Sequence, residues 1–176
     1  MATKFLEKDL EDIIFESDKN ELFERGLLIY GKLYRQVRIG NYGVADLISV
    51  KRIPTDIRNG ERGEFASHLD ITIYELKKDK IDVHTFMQAV RYAKGISRYF
   101  EKYRTNIKVQ FKVVLIGSEI SMNDDFTYIT DMFTPDIPSS FYSPAINSVT
   151  FYKYKYNFDG IYFENHNQYY LINEGF

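Results

Sequence analysis

The sequence predicts a mixed α/β (α+β) domain, and three patterns carry that expectation. Apolar residues recur at helical spacing over residues 3–25 and again over 83–103, where Phe86, Val90, Ala93, Ile96 and Phe100 form one stripe. Short runs rich in Val, Ile, Leu, Tyr and Phe occupy 27–39, 47–50, 69–76, 108–116, 149–156, 160–164 and 168–172, and they read as strands. Strand, helix and strand follow one another over 69–116, an order that calls for a right-handed crossover and parallel pairing.

The 176 residues fit one domain with its own core, so 1–176 is read as a single domain. Hydrophobic residues are 44% and charged residues 27%, an ordinary globular balance. No apolar run approaches the about 20 residues of a transmembrane helix, so no membrane partner is expected. The acidic, amphipathic start lacks the pattern of a signal peptide. With no cysteine, the chain has neither a disulfide framework nor a thiolate metal site. A cytoplasmic location fits these features.

Taken in order, Thr3 can cap the first helical stretch, where Phe5, Leu6, Leu10, Ile13 and Ile14 share a face. Glu7 and Glu11 lie one turn apart; acids early in a helix are also favoured by its dipole alone. The run 27–39 ends in Gly40-Asn41-Tyr42-Gly43, a turn signal that predicts a hairpin and brings Gln36 or Arg38 beside the next strand. Residues 52–68 form a polar excursion. In the strand over 69–76, Ile71 and Ile73 share parity with Glu75 and Lys77, so the acid and the lysine sit at the end of a buried face. Lys78, Asp79 and Lys80 turn the chain, and Asp82 is a good N-cap for the helix that follows. His68, His84 and His166 show no metal-ligand spacing.

Chemistry concentrates between residues 43 and 92. Asp46 opens one strand, Glu75-Leu76-Lys77 closes another, and Gln88 and Tyr92 are neighbours on the helix above. Two converging carboxylates repel unless something neutralises them. A hard divalent cation does so, and Mg²⁺ (or Mn²⁺) is typically held by one or two carboxylates plus phosphate oxygens. Asp46 and Glu75 are therefore the candidate metal ligands. Lys77 would orient the attacking water or stabilise developing charge. Charge is unevenly spread: residues 1–24 carry three lysines against eight acids, residues 25–112 carry eighteen Lys/Arg against nine acids, and residues 113–176 carry two lysines against eight acids. The basic middle suits a phosphate-bearing partner such as DNA, although such charges also simply solvate helix faces.

These residues resemble the PD-(D/E)XK nuclease superfamily. Gly-x-x-Asp at 43–46, Glu-x-Lys at 75–77 and Gln-x-x-x-Tyr at 88–92 follow in the order of the branch that includes RecB-type nuclease domains, Holliday-junction resolvases and mismatch endonucleases. The resemblance covers residues 5–116. It implies a restriction-endonuclease-like core of a mixed sheet flanked by helices, with residues 117–176 as a β-rich extension. It further implies a Mg²⁺-dependent endodeoxyribonuclease acting in repair, recombination or defence. A helix-borne glutamate completes the site, with Glu7 the best match and Glu11 its rival. Gln88 would assist, and Tyr92, Arg91, Lys94 and Arg38 would meet the nucleic acid.

Two other classes compete. One is a non-cleaving nucleic-acid-binding or interaction subunit with the same fold. The other is a structural protein using its acidic, aromatic C-terminal part, which is also where a homodimer face is conceivable.

Overall fold

The computed structural model describes residues 5–54, 67–103, 107–121 and 146–166. Two helices come first, α1 (Glu7–Glu16) and α2 (Lys19–Glu24). β1 (Lys32–Arg38) leads through a single 3-10 turn (Gly40–Tyr42) into β2 (Val44–Pro54). β3 (Ser67–Leu76) and the short β4 (Lys80–Ile81) precede the long helix α3 (Val83–Lys102). β5 (Ile107–Gly117), β6 (Glu119–Ile120), β7 (Ile146–Asn157) and β8 (Gly160–Asn165) complete the described elements.

Six strands form one mixed sheet in the order β1-β2-β3-β5-β7-β8, and β4 and β6 pair separately. β2 is antiparallel to both β1 and β3, β3, β5 and β7 are parallel, and β8 turns back on β7. The expected α/β class and the parallel pairing across the helix are both present. The C-terminal strands join the main sheet rather than standing apart.

The centre of the sheet is buried on both faces, as parallel strands require. On one face Ile71, Ile73, Phe111, Val113 and Leu115 pack beneath Phe86, Ala89, Tyr92 and Ala93 of α3. On the other, Tyr74, Leu76, Val114 and Ile116 meet Leu10, Ile14 and Leu22 of α1 and α2. Local chemistry agrees with these placements. Asp82 caps α3 as its sequence predicts, accepting the Thr85 N–H at 3.0 Å. Leu6 donates its N–H to Asp9 at 2.6 Å at the start of α1.

Several element limits differ from the sequence expectation. The strand expected over 27–39 begins only at Lys32. Leu27 and Ile29 are buried, but they fill the α1–α2 core as an irregular segment between Gly26 and Gly31, both at positive φ. β2 runs on to Pro54 and β3 starts at Ser67, so the polar excursion is shorter than 52–68. The cap at Thr3 and the strand expected over 168–172 lie outside the described residues. On α3 the fully buried positions include Ala89, Tyr92 and Gly95, whereas Val90, Ile96 and Phe100 only flank the core. The stripe has turned toward the hairpin because α3 docks on the β1–β2 turn as well as on the sheet.

Gly95 makes that docking possible. A Cβ there would lie 2.6 Å from both Ile39 Cγ2 and Tyr42 Cγ. One turn further, Arg98 Nη1 donates to the Tyr42 hydroxyl at 2.7 Å. At the far side of the sheet, the Phe163 N–H of β8 donates to the Arg25 carbonyl at 2.8 Å, drawing the α2–β1 segment against the edge strand.

Gly95→Ala is expected to lower the melting temperature by several degrees. Alanine gains about 1 kcal/mol of helix propensity, but overpacking against a ring and a branched side chain costs about 1–3 kcal/mol and lifts α3 off the turn. A thermal melt checks it, and a raised melting temperature would mean the seam yields freely.

Candidate active site

The register of β2 against β3 brings the two acids together. Leu47 faces Tyr74 and Ile48 faces Ile73, so one further step sets Asp46 across from Glu75. Both share the parity of Ile48 and Ile73, on the α3 side. Asp46 Oδ2 accepts the Leu76 N–H at 2.9 Å. Lys77 follows directly; its N–H donates to the Ile116 carbonyl at 2.8 Å and its Nζ lies 3.3 Å from Glu75 Oε1. From the first turn of α1, Glu7 places Oε1 3.9 Å from that ammonium and accepts the Lys78 N–H on Oε2 at 3.3 Å. Asp46, Glu75, Lys77 and Glu7, residues from three separate parts of the chain, thus form one cluster at one end of the sheet.

Burial dominates the electrostatics. Glu75 is 2% exposed. Burial, followed by the nearby Asp46 charge, pushes its carboxyl up to about 8, against the opposing pull of Lys77. Burial also raises Asp46, with the Leu76 N–H and Lys77 working the other way. For Lys77, burial alone would favour the neutral amine. The carboxylates of Glu75, Glu7 and Asp46 outweigh it and hold the ammonium above its ordinary value. Glu75 is therefore a carboxyl group short of positive charge, holding its proton near neutral pH.

Two polar atoms, one in the cluster and one on α3, lack partners. Glu75 Oε2 and Gln88 Oε1 are buried with no hydrogen bond among the described residues. Such atoms are rare in folded proteins and mark places suited to an ion, a water or a ligand. No group of three or more His, Cys, Asp or Glu side chains arranged for a metal ion occurs among the described residues. Mg²⁺ does not need one, since two carboxylates with waters and substrate phosphates suffice. Asp46 and Glu75, with the spare Oε2 aimed at nothing else, fit that donor set.

The two helix-borne acids separate cleanly. Glu11 is buried and committed to β1, accepting from Arg35 Nε at 2.5 Å and from Gln36 Nε2 at 2.6 Å. It docks α1 and leaves Glu7 as the acid that reaches Lys77. Gln36 has φ 49°, the one non-glycine residue at positive φ among the described residues. Its neighbours Arg35 and Val37 pair with Leu47 and Ala45, so this strained residue stands opposite Asp46. Nothing in the sequence marks Gln36 for a left-handed backbone.

On helix α3, Tyr92 is 3% exposed, so its ring is packed into the core beside the cluster rather than standing in solvent. A Cβ at Gly43 would sit 2.9 Å from Tyr92 Cε1, and Gly43 itself has φ 118°, so the glycine of Gly-x-x-Asp both turns the chain and admits this ring. Burial raises the Tyr92 hydroxyl, as do the charges of Glu75 and Asp46, while Arg91 opposes them. Tyr92 therefore walls the carboxylates in. Arg91 is exposed, with its guanidinium carbon 5.5 Å from the Tyr92 ring centroid. Lys94 is half-buried one turn along, and Arg38 is exposed at the end of β1 beside Val44. Arg91 and Arg38 lie near Gly43 and Val44, at the same end of the sheet as the acids.

A comparison of the chain with protein-family models, curated proteins and solved structures returns no match.

The raised Glu75 carboxyl has a consequence for stability. Its folded value, about 8, lies above the ordinary 4.5, so folding takes up a proton in that window and the Glu75 contribution falls as pH rises through it. Glu75→Gln removes this titration. The variant should melt higher than wild type at pH 8, by an amount on the order of 1–3 kcal/mol, and the gap should close toward pH 5. Parallel melting profiles from pH 5 to 8 would return Glu75 to an ordinary carboxylate.

Proposed function

We propose that the protein is a metal-dependent nuclease that hydrolyses phosphodiester bonds in DNA, with a restriction-endonuclease-like core of PD-(D/E)XK type. The observation that carries the reading is the convergence of Asp46, Glu75 and Lys77 at one end of the sheet, with Glu75 Oε2 buried and unpartnered. The order of helix, antiparallel β1–β2–β3, α3 and parallel β5 is consistent with that core.

Asp46 and Glu75 would hold a Mg²⁺ or Mn²⁺ ion, which when bound acidifies a water and offsets charge on the phosphate. The chain supplies the rest. Lys77, held cationic by its carboxylate neighbours, is placed to orient the attacking water and to stabilise charge as it develops on the scissile phosphate. Glu7 restrains the lysine from the other side. Gln88 offers its free Oε1 to a water, and Tyr92 excludes bulk solvent from the acids. Arg91, Lys94 and Arg38 would contact the DNA backbone.

One observation favours the alternative of a non-cleaving binding or interaction subunit. Lys77 Nζ already lies 3.3 Å from Glu75 Oε1, so the protein itself supplies one cation to the acids. Metal response separates the two readings. Mg²⁺ should raise the melting temperature of the wild type but not of Glu75→Gln, and it should do nothing for a pure binder.

With labelled DNA substrates and Mg²⁺ or Mn²⁺, Lys77→Ala is expected to cut at least about a hundredfold more slowly than wild type while remaining folded. Equal cutting by Lys77→Ala and Glu75→Ala would remove the site assignment. In a binding assay, Arg91→Ala with Lys94→Ala should weaken DNA binding without regard to sequence. It should also reduce the slope of log affinity against log salt by about 1 for each phosphate no longer neutralised. An unchanged slope would place the DNA elsewhere.

A further inference from the structure

We propose that Tyr154, beyond the residues that carry the motifs, is a positioning residue for Lys77: its hydroxyl donates to the Lys78 carbonyl and fixes the Lys78–Asp79 peptide, the unit next after those that flank the lysine. Its consequence for the reaction rests on the nuclease reading above; its geometry does not.

The backbone from Leu76 to Asp79 is tied at every residue. The Leu76 N–H goes to Asp46 and the Lys77 N–H to the Ile116 carbonyl. The Lys78 N–H goes to Glu7, and its carbonyl accepts from Tyr154. The Asp79 carbonyl accepts from the Ser118 N–H and hydroxyl, each at 2.8 Å, and from the Glu119 N–H at 3.0 Å. Two of these ties come from carboxylates of the cluster, and the others come from β5, β6 and β7 and the residue between β5 and β6. Strand β7 reaches the lysine because it runs parallel to β5 with Ile116 opposite Tyr152 and Gly117 opposite Lys153, which carries Tyr154 just past the end of β5.

The same ring also steadies the other side of the ammonium. Tyr154 is 7% exposed, and Phe5 packs against it at 5.7 Å between centroids and stacks on Tyr156 at 5.4 Å. Phe5 stands two residues before Glu7, so β7 holds both the peptide of Lys78 and the start of α1. Packing alone would be served by phenylalanine; the hydroxyl is needed only for the Lys78 carbonyl. Misplacing a catalytic group by about 1 Å costs about a hundredfold in rate, which gives such a tie its value.

The test uses the full chain with Tyr154→Phe and, as a control from the same strand, Tyr152→Phe. Tyr152 is 8% exposed in the same core. Amide hydrogen exchange read by NMR should show the Lys78 amide opening at least about tenfold faster in Tyr154→Phe, with the Ile73 and Val113 amides unchanged and no effect in the control. A general loss of stability would instead speed the slow core amides together, and that result overturns the proposal. In the DNA cleavage assay, kcat should fall about tenfold or more while KM holds. Unchanged exchange at Lys78 overturns the proposal, whether or not the protein cuts DNA. Faster exchange with wild-type kcat overturns the role in the reaction. Faster exchange in a protein whose wild type cuts no DNA supports the positioning contact and sinks the nuclease reading instead.

Discussion

Everything at the acidic cluster depends on the antiparallel register between β2 and β3. A slip of one residue would turn Asp46 to the opposite face of the sheet and leave Glu75 facing a different side chain. The register is strongly specified because neither face of β3 is spare. Ile71 and Ile73 must go under α3, while Tyr74 and Leu76 must go under α1 and α2. The same hydrophobic demand that fixes the pairing therefore delivers two carboxylates to one place, where electrostatics alone would have kept them apart.

The fold offsets this repulsion with fixed dipoles and one ammonium. Asp46 takes a backbone N–H, Glu75 takes Lys77, and Glu7 closes over the lysine from α1. Charges held this way, with little water nearby, interact more strongly than they would at the surface. Isolated surface ion pairs contribute little by comparison. The pairs of Arg25 with Glu21 and Lys155 with Glu164 belong to that weaker kind. The carboxyl of Glu75 stays short of partners even so, and this asymmetry distinguishes the cluster from an ordinary structural ion pair.

Much of this was legible in the residues. Strand parity predicted that Glu75 and Lys77 share the face of Ile71 and Ile73, and the acid on the preceding strand lands beside them. Asp82 announced α3 through its capping chemistry. The choice between Glu7 and Glu11 was not legible, because it depends on Arg35 and Gln36, which lie 24 and 25 positions beyond Glu11 and come close only after α1 has packed. Nor was the burial of Tyr92. Helical spacing gives a face, but the amount of that face that is covered depends on how closely Gly95 lets α3 approach the turn. The part played by β7 was invisible for a similar reason: the aromatic residues of the C-terminal part read as strand, and only the pairing with β5 says which end of the sheet they reach.

Among the described residues, the outermost strands of the sheet, β1 and β8, are both poor templates. On β8 the Phe163 N–H is already engaged by the Arg25 carbonyl. On β1 the left-handed Gln36 breaks the flat run of backbone groups, between exposed Lys32 and Tyr34 on one side and Arg38 on the other. Covered, kinked and charged margins of this kind discourage another chain from adding a strand. Among the described residues, a second copy of the protein or a peptide would therefore find these two margins a poor ladder to extend.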